Sequence, residues 1–352
     1  MHLKTKLWSH FKGIAALCFA AGPAFAGSYT YTSLAPAGSI QPAVGGMNDN
    51  DQVVGSFQDP TTYRSHGFLW SQGRFTQIDV GSFGTFLTDI NAFGIATGYY
   101  YASAEDAKNF RTTAMTYDTT KKAHTDIPFT KTYSAVALSI NANGAVVGSS
   151  FKGPDEKAFL FNLGKVKHVS VPNSPYVTVG VANNANETML SGVDLANNEH
   201  TYLLRGGKFT QLAPPDGASV NGFGCGSNSG FINASGIAGG SYGVSTGVVG
   251  FTYHNGHYRK YAFPGQPAQT TVSGVSSTGV VAGCYLDSSA NYAAKGFVYV
   301  GKTYSTILVP GSSSTSIVAV NAGSSLAGEY STGSGFGIFI AQCPADQAPC
   351  TQ

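Results

Sequence analysis

Four aspartates, distributed along the chain, supply carboxylates of the kind that act in sugar binding and in glycoside hydrolysis. They are Asp59, Asp155, Asp194 and Asp287, and Tyr63 follows the first of them by four residues. Two carboxylates about 5–10 Å apart are what a glycosidase needs, one as general acid and one as nucleophile or base. Carboxylates beside exposed aromatic rings also suit the binding of a sugar, because its hydroxyls need acceptors and its C–H face stacks on a ring. The same groups suit a cation or a peptide.

Two other motifs are better explained by turns than by chemistry. Residues 239–243 read Gly-Gly-Ser-Tyr-Gly and fit the G-x-S-x-G elbow of hydrolases, but that elbow needs a helix after it and no helical pattern follows. His254 and His257 flank Asn255-Gly256, which is the strongest hairpin signal in the chain. No C-x-x-C pair is present either. We therefore predict no metal site and no cofactor.

The elements that position these residues come from a repeat. One phrase recurs seven times: an apolar residue, Asn or Ser, small residues, then an apolar run that ends in Gly, as in Ile-Asn-Ala-Asn-Gly-Ala-Val-Val-Gly at 140–148. Asparagine favours turn starts and glycine takes the positive φ of tight turns, so the phrase predicts a β-hairpin. The Asn or Ser positions lie 43, 50, 42, 50, 43 and 45 residues apart: Asn48, Asn91, Asn141, Asn183, Asn233, Ser276 and Asn321.

Two further phrases complete each repeat. Examples are Gly-Phe-Leu-Trp at 67–70 and Arg-Phe-Thr-Gln-Ile at 74–78, which alternate with the period of a strand. Each repeat thus holds four short strands in about 47 residues, which is the length of a propeller blade. The last copy lacks a fourth strand, and a spare strand stands at 29–34. We predict an all-β fold over residues 27–341, a seven-bladed β-propeller whose N-terminal strand pairs in the last blade.

With two phrases recurring in register, the chain resembles the bacterial extracellular HAF-repeat proteins. The Asn-x-x-Gly-x-Val-Val-Gly pattern matches throughout residues 45–328, and the His-Ala-Phe phrase has degenerate counterparts at 66–68, 157–159, 200–202 and 295–297. The resemblance implies a secreted or surface bacterial propeller. It implies no catalytic residue, and the degenerate triplet suggests that its histidine is structural.

Strand direction divides the predicted disc into two faces. Because strands alternate, the loops between second and third strands share one face with the crossings between blades, and we call it the loop face. The Asn-Gly turns and the turns between third and fourth strands share the opposite face, the turn face. Long and variable loops usually carry function. The predicted ligand-binding residues on the loop face are Asp59, Tyr63, Tyr101, Asp155, Asp194 and Asp287.

Two functional hypotheses follow for the loop face. The first is a binding or interaction module for a glycan, a peptide or a cell-surface protein. The alternative is a secreted glycoside hydrolase or lyase that draws its acid and base from the four aspartates, two of which would then share a pocket. A third interpretation needs no ligand, since acids keep loops soluble and aromatic rings fill gaps between blades.

The first 26 residues have the pattern of a signal peptide. Three lysines precede the short apolar run 13–21, and Ala24-Phe25-Ala26 supplies a small-x-small cleavage site. That run is too short to span a bilayer, and no later stretch reaches the roughly 20 apolar residues required. We predict cleavage after Ala26, a secreted or periplasmic protein of a bacterium, and no membrane span.

Four cysteines follow the predicted cleavage site, an even number that suits an oxidising compartment. Cys343 and Cys350 bracket a short loop in the C-terminal tail 342–352 and would form a local disulfide. Cys225 and Cys284 would form the second pair. The alternative is that the thiols are free and buried.

Composition excludes several classes of protein. Charged residues make up 11% of the chain and the formal net charge is +2, which becomes −1 without the three lysines of the signal peptide (17 basic against 18 acidic residues). A protein that binds nucleic acid normally has a concentrated basic field, so this net charge argues against nucleic-acid binding. So few Glu, Lys and Arg also disfavour a helical protein. No dimerisation helix is visible, and we expect a monomer.

Overall fold

The structure of the protein is a computed structural model. It describes residues 28–36, 38–130, 132–153, 155–171, 174, 176–196, 198–213, 230–266, 269–343 and 350. The described chain is all-β and forms seven four-stranded antiparallel sheets, which are the blades of a β-propeller. The predicted fold class is confirmed. The predicted signal peptide lies outside the described residues.

Blades 1 to 4 follow one another along the chain. Blade 1 contains β2 (Ile40–Met47), β3 (Val53–Gln58), β4 (Ser65–Ser71) and β5 (Arg74–Ile78); blade 2 contains β6 (Thr85–Ile90), β7 (Ile95–Tyr100), β8 (Thr113–Asp118) and β9 (Ala123–Asp126). Blade 3 contains β10 (Ser134–Ile140), β11 (Val146–Lys152), β12 (Asp155–Asn162) and β13 (Lys165–Val169); blade 4 contains β14 (Tyr176–Ala182), β15 (Thr188–Val193), β16 (Glu199–Arg205) and β17 (Lys208–Leu212).

The remaining blades include the one that joins the two ends of the chain. Blade 5 contains β18 (Phe231–Ile232), β19 (Ala238–Val244), β20 (Gly247–His254) and β21 (His257–Tyr261); blade 6 contains β22 (Thr270–Val275), β23 (Val281–Asp287), β24 (Ala293–Val300) and β25 (Thr303–Ile307). Blade 7 contains β26 (Ser314–Val320), β27 (Leu326–Thr332), β28 (Gly335–Gln342) and β1 (Thr30–Ser33). Helix is confined to α1 (Ala104–Lys108) and a 3₁₀ turn (Ser288–Ala290) within the described residues.

Closure of the ring uses both ends of the chain, as predicted. β1 pairs antiparallel with β28, from Thr30 opposite Gln342 to Ser33 opposite Phe339. A strand from each terminus in one blade removes two free sheet edges. The predicted Cys343–Cys350 disulfide is confirmed and lies directly after β28. Cys284 is buried in β23, and its predicted partner Cys225 lies outside the described residues.

The hydrophobic core is divided among the interfaces between blades. One cluster joins Val54 and Ile78 of blade 1 to Leu87 and Met115 of blade 2, and similar clusters join the other neighbouring blades. No helix among the described residues is long and apolar enough to cross a membrane.

The glycine that ends each repeated phrase is required by close packing. In five blades an added Cβ would lie 2.0–2.1 Å from a backbone carbonyl oxygen of the blade's innermost strand. In three of these blades the third-strand phenylalanine also covers the glycine, as Phe68 covers Gly55, Phe159 covers Gly148 and Phe339 covers Gly328. The five glycines are Gly55, Gly98, Gly148, Gly283 and Gly328.

A belt of asparagines on the turn face links one blade to the next. In each of six turns the Asn Oδ1 accepts the backbone N–H four residues later, which closes the hairpin. In each of them the Nδ2 also donates to a backbone carbonyl of the following blade, at 2.8–3.2 Å. The belt is closed, since Asn321 of blade 7 donates to the carbonyl of Asn48 in blade 1.

Blade 6 makes the seventh junction with hydroxyl groups. It has Ser276 in place of asparagine, and the neighbouring Ser277 Oγ donates to the carbonyl of Ala322 at 2.9 Å. Thr278 Oγ1 also lies 2.8 Å from Ser324 Oγ of blade 7. The belt therefore contains six amide links and one hydroxyl link.

Candidate functional site

Exposed apolar side chains are concentrated on the loop face. Among the described residues, eight large hydrophobic side chains are exposed, and six of these lie on loop-face segments. Isolated exposed apolar residues are ordinary, and these six stand out because they share one face of the disc. The six are Tyr63, Phe83, Phe110, Leu195, Tyr292 and Phe336.

Three of these aromatic residues have a strained backbone at corresponding points of their loops. Tyr63, Phe110 and Tyr292 have φ angles of 55°, 53° and 58°, and each lies one to three residues before the third strand of its blade. A bulky residue in this left-handed region is an outlier that costs about 1–2 kcal/mol. The turn face also has an exposed apolar residue in this region, Leu163 at φ 49°, so the feature specific to these three positions is an exposed aromatic ring in a loop-face segment. We call these three residues the aromatic triad.

Two of the predicted aspartates hold two of the three loops that present the triad. The Asp59 carboxylate accepts the backbone N–H groups of Thr61 and Thr62, and its carbonyl accepts the N–H of Tyr63 at 2.9 Å. Asp287 likewise accepts from Ser289 with its carboxylate and from the N–H of Tyr292 with its carbonyl. In blades 1 and 6 an acid and an exposed aromatic ring therefore share one loop, with the acid bonded inside the loop and the ring outside.

These contacts also lower the pKa values of the two carboxyls. For Asp59 the main cause is the hydrogen bond from the Thr62 backbone, and for Asp287 it is the bond from the Ser289 hydroxyl. Both bonds favour the ionised form. A general acid needs the opposite shift.

The other predicted residues occupy separate places. Asp194 bonds His200 Nε2 at 2.9 Å and the backbone of Ala196 and Asn198, and chiefly the His200 bond lowers its pKa. Asp155 is exposed at the start of β12, opposite Lys152. Tyr101 packs edge-on against Phe86, with ring centroids 6.0 Å apart.

A cavity of about 590 Å³ runs along the propeller axis, lined by the innermost strands and parts of the second strands. It extends from Met47 and Asn233 near the turn face to Phe86 and Tyr99 near the loop-face end of those strands. This volume is within the range of small-molecule sites. None of the six predicted ligand-binding residues lines this cavity. Tyr101 contacts Phe86, which does line it.

Asp89 is the first of two acids on the cavity wall. Its Oδ1 accepts the N–H of Ile90 at 2.8 Å, and its Oδ2 accepts from Ser139 Oγ at 2.8 Å and the N–H of Ile140 at 3.0 Å, so it joins blade 2 to blade 3. Burial raises the pKa of this carboxyl from 3.8 to about 6, in spite of the three donors.

Glu329 is the second acid. Its Oε1 accepts the backbone N–H of Val44 at 3.3 Å, which is its one hydrogen bond to a described residue. Burial raises the pKa of Glu329, and the Val44 bond opposes this only in part. The described residues that line the cavity include no lysine, arginine or histidine, so neither acid has a cationic partner there. No group of three metal-binding side chains occurs in the described part of the chain.

The sequence contains a signal for both cavity acids that loop-based reasoning missed. At the position of Asp89 other blades have small residues, namely Gly46 in blade 1 and Ser139 in blade 3. Glu329 directly follows the phrase-ending glycine, where blade 1 has Ser56 and blade 2 has Tyr99. Each of the two acids can therefore be recognised in the sequence as a position at which one copy of the repeat differs from the others.

Asp89 makes the stability depend on pH in a defined direction. A carboxyl whose pKa is raised on folding stabilises the protein most at a pH below the pKa that the group has in the unfolded chain. That contribution is lost as the pH rises through about 6. A rise of this size corresponds to about 3 kcal/mol at most, and water in the cavity reduces this. Urea unfolding of the wild type should therefore show extra stability at pH 5 over pH 7. Asp89→Asn should lack that part of the increase, and an unchanged slope would contradict the assignment.

Comparisons with known proteins support the fold alone. No protein-family model matches the sequence, and no curated protein sequence matches it. The structure is similar to an oligogalacturonate lyase from Vibrio parahaemolyticus, with a TM-score of 0.60, 10% identity, and 91% of this chain and 98% of that chain covered. It is also similar to the β-propeller domain of the Trilobed protease from Pyrococcus furiosus, with a TM-score of 0.52, 11% identity, and coverage of 77% and 84%.

TolB from Acinetobacter baumannii gives a TM-score of 0.49 at 10% identity over 83% of this chain. The match spans 63% of the TolB chain. At identities near 10%, the similarities to the lyase and to the protease domain support a β-propeller fold, and none of the three carries an activity over to this chain.

Proposed function

We propose that the protein is a secreted binding module that holds a glycan against the aromatic triad of its loop face. The observation that carries the proposal is that three exposed aromatic rings share one strained backbone conformation at corresponding points of three blades. Flat exposed rings on a rigid scaffold bind a sugar by stacking on its C–H face, and they lose little conformational entropy in doing so.

The alternative of a glycoside hydrolase or lyase has less support. Hydrogen bonds lower the pKa values of Asp59 and Asp287 within their own loops and that of Asp194 chiefly through His200, which is unfavourable for a general acid. The acids of the central cavity have raised pKa values, but a cavity with two carboxylates and no described cationic lining disfavours a polyanion such as oligogalacturonate.

The proposal is tested with the purified mature chain on a glycan array, followed by titration of the best ligand. We expect Tyr63→Gly, Phe110→Gly and Tyr292→Gly each to weaken binding about tenfold, because a lost anchor ring costs on the order of 1.4 kcal/mol. Glycine accepts positive φ, so the same variants should fold with unchanged or higher stability.

Phe93→Gly is the matched control, because Phe93 is 73% exposed but lies in an Asn turn on the opposite face. Its substitution should leave glycan affinity unchanged. An array without signal would exclude the glycan and leave a protein partner as the ligand of the face. Equal losses in Phe93→Gly and the triad variants would contradict the assignment of the site to the loop face.

A further inference from the structure

We infer that the central cavity is a second binding site, separate from the loop-face aromatic triad, and that it takes a small organic cation. The inference rests on the position of Glu329, on two aromatic rings that line the same cavity and on the charge of the cavity wall. It does not depend on the glycan proposal, since no triad residue lines the cavity.

Three cavity residues lie at one level because they occupy one position of the repeat. Ser56, Tyr99 and Glu329 each directly follow the phrase-ending glycine of blades 1, 2 and 7, which are consecutive around the ring. All three line the cavity, and the Tyr99 ring is stacked on Phe86 with centroids 4.9 Å apart. A carboxylate and an aromatic pair therefore stand on either side of blade 1 at the same height.

The Glu329 carboxylate has no compensating positive charge among the described residues that line the cavity. Burying an anion is costly unless a cation or several donors accompany it. Asp89 has three donors, whereas Glu329 has the Val44 N–H alone among the described residues. Glu329 is therefore the group left to pair with a ligand, and Asp89 adds a second negative charge to the wall.

The chemistry of the ligand follows from these groups. An ammonium ion pairs with a carboxylate, and it is also attracted to the face of a tyrosine or phenylalanine ring. An anion would meet two carboxylates and no compensating described cation. A cavity of about 590 Å³ accommodates a small amine or quaternary ammonium compound.

The test uses choline and ethanolamine as probes, with isothermal titration of the mature protein at low salt. The matched neutral probe is 3,3-dimethylbutan-1-ol, which has the shape of choline without its charge. We expect at least one of the cations to bind and the neutral alcohol to bind at least tenfold more weakly. Binding of the alcohol as tightly as choline, or no binding of either cation, would overturn the inference.

Variants locate the binding in the cavity. Glu329→Gln keeps an acceptor for the Val44 N–H and should weaken cation binding about tenfold or more, because a charged hydrogen bond is replaced by a neutral one. Glu105→Gln removes the same charge from an exposed position on α1 and should leave the affinity unchanged. Thermal unfolding of both variants verifies that they fold. Equal effects of the two substitutions would show long-range electrostatics only and would contradict a site at Glu329.

Discussion

Replacing Gly148 by alanine should cost about 3 kcal/mol of unfolding free energy or more, which is the upper range for overpacking a core. The added Cβ would lie 2.1 Å from the carbonyl oxygen of Val136 and 2.8 Å from the ring of Phe159. The carbonyl belongs to the innermost strand, which has a register shift after Ala137. Relief would therefore require movement of a backbone that also lines the axial cavity and packs against the next blade.

Gly335→Ala is the matched control for this prediction. Gly335 is in β28 with no atom within 4 Å of an added Cβ and no positive φ. Alanine there should be neutral or stabilising by up to about 1 kcal/mol, through the reduced entropy of the unfolded chain. Urea unfolding of both variants measures the difference. If Gly148→Ala loses no more unfolding free energy than Gly335→Ala, the packing explanation for the repeated glycine is wrong.

The repeat made the fold predictable because its constraints are local. A turn-starting asparagine, a glycine that can take positive φ and two-residue alternation define each hairpin within about ten residues. Closure was predictable by counting, because one strand was missing at the C-terminus and one was spare at the N-terminus. The structure places that spare strand, β1, on β28. These parts of the fold need no knowledge of contacts distant in sequence.

The site was less predictable because its geometry depends on neighbouring blades and on backbone conformation. Asp59 and Tyr63 do share a loop, but their spacing does not reveal that the acid bonds its own backbone while the ring is exposed at positive φ. Asp89 meets Ser139 from a position fifty residues away. Only a comparison of the seven copies, position by position, would have singled out Asp89 and Glu329 as acids at otherwise small or uncharged positions.

The asparagine belt shows the same division between local and distant information. Sequence alone explains why a turn begins with Asn141, since its Oδ1 accepts the N–H groups of Asn143 and Ala145. It does not show that the Nδ2 donates to the carbonyl of Asn183 at 3.0 Å and to Asn186 Oδ1 at 2.9 Å in the next blade. A side chain that serves both a turn and an interface explains the recurrence of asparagine better than turn preference does, because Ser276 starts its turn equally well.

Asn141→Asp should therefore destabilise the propeller by about 2–4 kcal/mol near neutral pH. The substitution keeps both acceptor bonds to the turn, but it replaces a buried donor by a carboxylate oxygen that faces two other oxygens. Repulsion and burial would raise the pKa of the new carboxyl, so the variant should regain stability as the pH falls and the protonated acid can donate again. Asn141→Ala should lose stability at every pH, since the turn and the link between blades both disappear.

Asn143→Asp distinguishes the belt from a general effect of charge on the turn face. Asn143 is in the same turn and also donates to the next blade, at the carbonyl of Asn184, but it is exposed. Water can solvate an aspartate there, so the cost should stay below about 1 kcal/mol and change little with pH. If Asn143→Asp and Asn141→Asp lose equal stability in urea unfolding, the buried amide has no special role. A large loss confined to Asn141 would mean that the buried amide at the start of this hairpin links its blade to the next, as the five equivalent asparagines are placed to do.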